Sequence, residues 1–213
     1  MRKILTSVLI LLVFSFFTYS QGSDFQSWTN LKISKKVYKR TNIIIKQAIR
    51  FRENSTLISK NFTDLKLSYK IKKTDLLLSL GYRFIDEVDL DGSSDLQNRY
   101  FLDFSSAYKY KRYKLSIRER IQYQGNYSDY KALFRQKFNV SYNVRKTPFR
   151  PFLQFEYFIN FDDEFEKLRY TLGFSHPLLK DLDVDLFYRV QQMFNVSNLQ
   201  NLYIFGTSLS YKL

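Results

Sequence analysis

Long stretches in which apolar and polar residues alternate are the feature of this sequence that most limits its fold. They run for about 10 to 13 residues and recur almost to the C-terminus. In "LKLSYKI", Leu65, Leu67 and Tyr69 share one parity, while two lysines and a serine share the other. Because successive side chains of a β-strand point to opposite faces of a sheet, each stretch predicts a strand with one apolar and one polar face.

The lengths of these strands and of their connections favour a membrane barrel. Strands of a soluble sandwich average about five or six residues, and these are nearly twice as long. Short basic turns such as "KKT" and "KR" alternate with longer polar loops such as "DEVDLDGSSDLQN", which is typical of a series of hairpins. Since the lipid core contains no water for unpaired backbone groups, an extended chain spans it only as a closed sheet. A soluble β-sandwich is the alternative.

The predicted fold class is therefore all-β, as a single antiparallel up-and-down transmembrane β-barrel. Ten strands are found between Asn42 and the C-terminus, and a weaker eleventh candidate lies at "FQSWTNLKIS". Because bacterial single-chain barrels have even strand numbers, ten strands are favoured and twelve are the alternative.

The N-terminus has the layout of a cleaved signal peptide. "MRK" is cationic, "ILTSVLILLVFSFF" is apolar, and "TYS" supplies small residues before Gln21. The apolar run is short for a membrane-spanning helix, which needs about 20 residues, and an uncleaved anchor is the alternative. The predicted domains are a signal peptide at residues 1–20 and a barrel domain at residues 21–213, located in the bacterial outer membrane.

Export and composition together limit the partners of the chain. The formal net charge of +14 is typical of nucleic-acid binding, but an exported protein rarely meets nucleic acid. The absence of cysteine excludes disulfides and thiolate metal sites. The expected partners are outer-membrane lipid, lipopolysaccharide and a small anionic solute, with no nucleic acid and no cofactor. The oligomeric state is not predicted.

Charged residues concentrate on the polar parity, which in a barrel faces the lumen. The predicted lumen-facing set is Arg50, Arg52, Arg83, Asp103, Arg118, Arg120, Glu156 and Arg189. A barrel of about eight to ten strands is nearly filled by its own side chains, so one interpretation is a ladder of Arg–carboxylate pairs that plugs the barrel. The other is a narrow cation-lined passage, because Arg and Lys outnumber the acids. The same parity directs Glu119 towards lipid.

Aromatic residues on the apolar parity lie near the strand ends, where a membrane barrel carries its aromatic girdles. The predicted girdle residues near the periplasmic interface are Tyr69, Tyr110, Tyr142 and Tyr211. Those near the outer interface are Phe84, Tyr100, Phe161 and Tyr203. In a soluble sandwich these rings would instead form the core.

The layout from "FQSWTNLKISKK" through "IRFR", "GYRF" and "IRERIQY" to "LFYRVQQ" resembles an uncharacterised bacterial outer-membrane β-barrel family. That family is known only as a domain of unknown function. The residues that match its features are Trp28, Arg50, Arg52, Tyr82, Arg83, Arg118 and Arg120. The resemblance covers nearly the whole mature chain. It implies a barrel in the outer membrane and implies no activity.

Neither catalysis nor a metal site is predicted. A nucleophilic enzyme needs a base beside its nucleophile, and the sole histidine, His176, precedes a proline in the short turn "SHPLLKD". Asp89, Asp91 and Asp95 indicate a solvated acidic loop, with weak divalent bridging to lipopolysaccharide as the alternative.

The predicted function is a non-catalytic outer-membrane barrel with a structural role and a narrow, cation-lined interior. A small channel or transporter for anionic solutes is the alternative, and a lipid-modifying enzyme is less favoured.

Overall fold

Eleven β-strands follow one another around a closed barrel in the part of the chain that the computed structural model describes, residues 23–127, 129–161, 165–194 and 201–213. In chain order they are β1 (Ser23–Tyr38), β2 (Thr41–Arg52), β3 (Leu57–Lys70), β4 (Leu77–Val88), β5 (Ser94–Tyr110), β6 (Tyr113–Asn126), β7 (Asp129–Tyr142), β8 (Arg150–Asn160), β9 (Phe165–Leu179), β10 (Leu182–Met193) and β11 (Asn201–Lys212). The predicted signal peptide at residues 1–20 lies outside the described residues.

The barrel closes between its first and last strands, which run parallel. Each strand pairs antiparallel with the next one along the chain, whereas β1 and β11 pair in parallel register, from Ser23 opposite Asn201 to Ser34 opposite Lys212. An up-and-down chain with an odd number of strands must close in this way, because its first and last strands point in the same direction. The prediction of ten strands, with twelve as the alternative, is therefore wrong.

The strand that was weakest in the sequence, β1, is a full member of the wall. It pairs with β2 on one side and along twelve residue pairs with β11 on the other. Its inward side chains include Gln26, Trp28 and Asn30, which are buried. Trp28 obscures the alternation, because a large aromatic ring occupies a position where the pattern requires a polar side chain.

The outer surface of the wall is apolar and the inner surface is polar. On the outside, Leu80, Leu153 and Leu172 are 63%, 60% and 59% exposed. On the inside, charged residues such as Asp64 and Arg83 are buried. A closed wall leaves no unpaired strand edge, and an apolar outer face is what lipid requires. The described residues include no helix that is long and apolar enough to cross a membrane.

Seven of the eight predicted girdle residues lie on the outward parity of their strands, and Phe161 directly follows the end of β8. On β5, Tyr110 follows Tyr100 by ten positions. At about 3.3 Å per residue and a tilt of about 45°, this separation corresponds to about 23 Å along the barrel axis, close to the height of a lipid-facing band. The Tyr100 ring also lies 5.4 Å from the Tyr82 ring, which extends this aromatic level onto β4. A girdle role for the eight residues stays a prediction.

A carboxyl group at mid-height interrupts the apolar outer surface. Glu119 lies in the middle of β6, on the parity of Ile121, which is 48% exposed. Its carboxylate accepts a hydrogen bond from Gln136 Nε2 at 3.0 Å, and the Tyr157 hydroxyl donates to Gln136 in turn. The sequence directed Glu119 to this face, and the structure adds one direct partner, Gln136, which is itself hydrogen-bonded to Tyr157.

The two rims of the barrel differ in charge more than in loop length. At one rim the connections are basic, as at residues 39–40 and 111–112, and they range from two to seven residues. At the other rim, the predicted long loop "DEVDLDGSSDLQN" is mostly strand, since β4 continues to Val88 and β5 begins at Ser94. The strands therefore extend past the aromatic level at this rim, where the sequence indicated an irregular loop.

The parallel seam predicts where β1 and β11 can be cross-linked. Thr29 lies opposite Thr207, and the chain has no cysteine of its own. Paired positions bring Cβ atoms close to disulfide distance, so the double variant Thr29→Cys/Thr207→Cys is expected to form an intramolecular disulfide on mild oxidation of the folded protein. The measurement is gel mobility after denaturation with and without reductant. Thr29→Cys/Tyr211→Cys, displaced by four positions, is the matched control, and preferential cross-linking of this pair would contradict the register.

Candidate functional site

The interior of the barrel contains an open, charged cavity of about 900 Å³. All eleven strands contribute to its lining, which includes fifteen Lys and Arg but seven Asp and Glu among the described residues. The lining extends from Asp95 and Asp129, close to one rim, to Lys32 and Asp185, towards the other. The side chains therefore leave the interior unfilled, and positive charge is in excess.

Six of the eight predicted lumen residues line this cavity: Arg50, Arg83, Arg118, Arg120, Glu156 and Arg189. Asp103 lies behind them, 1% exposed, and is in contact with Arg120. Arg52 ends β2 and donates a hydrogen bond to the carbonyl of Val88 at 2.7 Å, so it joins two strand ends and is not part of the lining.

On one side of the cavity, two arginines each have a carboxylate of their own. Arg83 forms two hydrogen bonds with Asp64, the one from Nη2 to Oδ2 measuring 2.7 Å. Arg120 binds the two oxygens of Asp103 at 2.6 and 2.8 Å. The partners of each pair lie directly opposite each other on neighbouring strands. These buried charges are therefore compensated by short, two-point contacts.

A third acid, Glu156 on β8, is shared by three arginines. Its Oε1 accepts hydrogen bonds from Arg118 Nη2 at 2.6 Å and from Arg135 Nη2 at 2.9 Å. Its Oε2 accepts one from Arg169 Nη1 at 3.5 Å. Lys137 lies opposite Glu156 on β7, yet no carboxylate among the described residues is within ion-pair distance of it. One carboxylate cannot neutralise this cluster, which keeps a net positive charge.

Further cations of the lining have neutral partners. Arg99 donates from Nε to Gln124 Oε1 at 2.7 Å, and Arg189 donates from Nε to Thr171 Oγ1 at 2.8 Å. Arg50 lies over the indole of Trp28. Among the described residues, none of these three arginines forms an ion pair with a carboxylate. Their partners orient the guanidinium groups without cancelling the charge.

Aromatic rings lie against the inner wall and stack on the arginines. The Arg120 guanidinium carbon is 3.7 Å from the centroid of the Phe101 ring. Phe101 lies opposite Gly81, and a Cβ added to this glycine would stand 2.1 Å from the ring. Phe187 lies opposite Gly206 in the same way, with a distance of 2.0 Å. The glycines thus allow these rings to lie flat along a neighbouring strand, which keeps the cavity open and offers each ring face to an arginine.

Sequence reasoning missed these interior rings. In the sequence, Trp28 stands out only as a match to a family feature, and Phe62, Phe101, Phe158 and Phe187 share the parity of the polar residues. The sequence does contain a signal for these rings, because Gly81 and Gly206 share that parity. Glycine inside a strand marks a close approach of another group.

The remaining candidate residues, the histidine and the acidic residues near one rim, do not form a site together. His176 lies within β9 opposite Val184, whereas the sequence indicated a turn. Asp91 accepts hydrogen bonds from the hydroxyl and the backbone N–H of Ser93 at 2.7 and 2.9 Å, which lower the pKa of its carboxyl. Asp95 accepts a hydrogen bond from Gln97 at 2.6 Å. Within the described ranges there is no group of three or more His, Asp or Glu that could hold a metal ion.

Comparison with protein families gives a match over most of the barrel. Residues 25–202 match the family described as "Protein of unknown function (DUF2490)". The chain belongs to this family. The match begins in β1 and ends at the start of β11, so it covers ten of the eleven strands and leaves most of β11 outside. The predicted resemblance to a family of unknown function is confirmed. A comparison with curated protein sequences gives no significant match.

Two solved porin structures are similar to this chain at low sequence identity. A NanC porin in a rhombohedral crystal form has a TM-score of 0.56 and 14% identity, over 89% of this chain and 97% of that chain. A KdgM porin has a TM-score of 0.49 and 14% identity, over 84% of this chain and 93% of that chain. At this identity the likeness to the NanC porin shows the barrel fold alone.

Substituting an interior arginine that is paired with a carboxylate should cost more stability than substituting one with a neutral partner. Arg120→Ala leaves the buried Asp103 with Lys66, at 3.8 Å, as its remaining cation, and should lower the free energy of unfolding by about 3 to 5 kcal/mol. Arg99→Ala removes the same charge but leaves no carboxylate unpaired, so a loss of about 1 kcal/mol is expected. Urea unfolding of the two refolded variants measures the difference, and equal losses would contradict the pairing.

Proposed function

We propose that this chain is an outer-membrane channel whose interior favours small anionic solutes. The observation that carries the proposal is the cavity of about 900 Å³, in which fifteen cationic side chains are accompanied by seven acidic ones. A cleft of one charge sign with low-dielectric walls concentrates ions of the opposite sign. Anions are therefore expected to enter this interior more readily than cations.

The outer surface supports the membrane part of the proposal. The apolar outer wall is continuous around a sheet without an unpaired edge, as a strand-built membrane protein requires. The predicted signal peptide provides the export that such a location needs. Outer-membrane lipid and lipopolysaccharide are the surroundings that this proposal gives the barrel. It assigns no catalytic step and no cofactor to the chain.

The charge pattern favours a channel over a barrel plugged by ion pairs. The Arg83–Asp64 and Arg120–Asp103 pairs fit a plug, since each charge has its own partner. The cluster around Glu156 and the carboxylate-free Arg50 and Arg189 do not. A buried cation without a counter-charge is costly unless it meets water or an anion. An open interior gives these groups access to both.

Electrical recording on the refolded protein tests the proposal. Inserted into a planar lipid bilayer between two concentrations of KCl, the protein should conduct, and its reversal potential should have the sign of chloride preference. A cation preference would overturn the anion part of the proposal. Absence of conductance would favour a structural barrel.

Glu156, the carboxylate shared by three arginines, should reduce the preference of the channel for anions. Glu156→Gln removes one negative charge and leaves Arg118, Arg135 and Arg169 in place, so the reversal potential should move further towards the chloride value. Recording from single open channels makes the result independent of how much of the variant folds. Asp75→Asn, a change of equal charge at a side chain that is 71% exposed, is the control and should leave selectivity unchanged. Equal shifts in both variants would contradict a role for the interior.

A further inference from the structure

Three arginines from different strands converge on the one tryptophan of the chain. Trp28 faces inward from β1, is 5% exposed, and donates a hydrogen bond from its indole N–H to Gln26 at 3.1 Å. The guanidinium carbons of Arg50, Arg189 and Arg169 lie 3.9, 5.2 and 5.3 Å from its ring centroid. These arginines belong to β2, β10 and β9, so they reach the indole from both sides of the β1–β11 seam.

The charge of this cluster is almost uncompensated. Arg50 and Arg189 form no ion pair with a described carboxylate. Arg169 reaches Glu156 at 3.5 Å, but Glu156 already has closer contacts with two other arginines. A cation–π contact holds a guanidinium over an aromatic face and leaves its charge in place. All three guanidinium carbons lie within 5.3 Å of one ring centroid, so their like charges repel each other, and a bound anion would offset that repulsion.

The hydrogen-bond donors of the cluster are oriented and only partly used. Arg189 uses Nε for Thr171 at 2.8 Å, and Arg169 uses Nε for Gln191 at 2.6 Å. These bonds fix the direction of each guanidinium. The Arg50 guanidinium donates no hydrogen bond to another described residue, and the terminal nitrogens of Arg189 make none either. A planar fork of N–H groups suits the two oxygens of a carboxylate or a phosphate.

We propose that Arg50, Arg169 and Arg189, assembled around Trp28, bind one oxyanion group, a carboxylate or a phosphate, of a solute in the lumen. The inference rests on the proposed channel function and adds a defined binding site to it. On the wall formed by β3 to β6, Arg83 and Arg120 are occupied by their own carboxylates, and Arg99 donates to Gln124. The solute is therefore held on the seam side of the lumen.

Because Trp28 is the only tryptophan, its fluorescence reports on this site alone. The refolded protein is titrated with sodium phosphate and with sodium citrate at constant ionic strength, which is maintained with sodium chloride. A saturable change in intensity or wavelength is expected, and the stronger of the two titrations identifies the preferred oxyanion. A change that is absent, or that never saturates with either anion, overturns the site.

Matched variants separate this site from the general charge of the lumen. Arg50→Gln and Arg189→Gln should each weaken the oxyanion affinity by about tenfold or more, since each removes a charged donor. Arg99→Gln removes the same charge from a lumen arginine that also lacks a carboxylate but bonds Gln124, and should leave that affinity unchanged. Equal weakening in Arg99→Gln would assign the effect to the overall field and overturn the site. Arg189→Lys keeps the charge, loses the planar fork and serves if a Gln variant fails to fold; full affinity there would also overturn the proposal.

Bilayer recording on the same proteins distinguishes the two proposals. Anion preference without a saturable Trp28 signal would support the channel and overturn the binding site. A saturable Trp28 signal without conductance would support the binding site and overturn the channel.

Discussion

Closure of the backbone hydrogen-bond ladder is the constraint on which the rest of this structure depends. In lipid an unpaired N–H or C=O finds no water, so every strand needs a neighbour on both sides. The parallel pairing of β1 with β11 supplies the last of these contacts. Without it, two strand edges would be open. The same seam brings Trp28 next to arginines that lie far along the chain, so the geometry of the interior follows from the way the wall closes.

The charged residues of the interior form two groups. Some are paired with a carboxylate on a neighbouring strand, and others have no carboxylate partner and are available to bind a solute. Between β3 and β6, Asp64 and Asp103 each bind one arginine through two contacts and join neighbouring strands. Near the seam, Arg50 and Arg189 rest on aromatic or neutral polar groups. Substitutions in these two pairs act mainly on folding, because they leave a buried charge without its partner. Substitutions near the seam can alter what the lumen attracts while the wall keeps its stability.

The sequence predicted the strands from β2 onwards, because their alternation follows a local two-residue period. It also placed Glu119 on the outer face. It did not predict the number of strands, since Trp28 weakens the pattern of β1 and no local signal states which distant strand will pair with it. The even strand number of known single-chain barrels then favoured the wrong count. The cluster at Trp28 was out of reach for the same reason, because its arginines become neighbours only when the seam has formed.

An odd number of strands has a consequence for the two ends of the strand series. In an even-stranded barrel, both ends emerge at the same rim. Here Ser23 begins β1 at one rim and Lys212 ends β11 at the rim with the basic connections. In a membrane, peptide labels fused ahead of Ser23 and after Lys212 would therefore meet different compartments. Under the proposed membrane location, the first and last strands would cross in the same direction, whereas those of an even-stranded barrel cross in opposite directions.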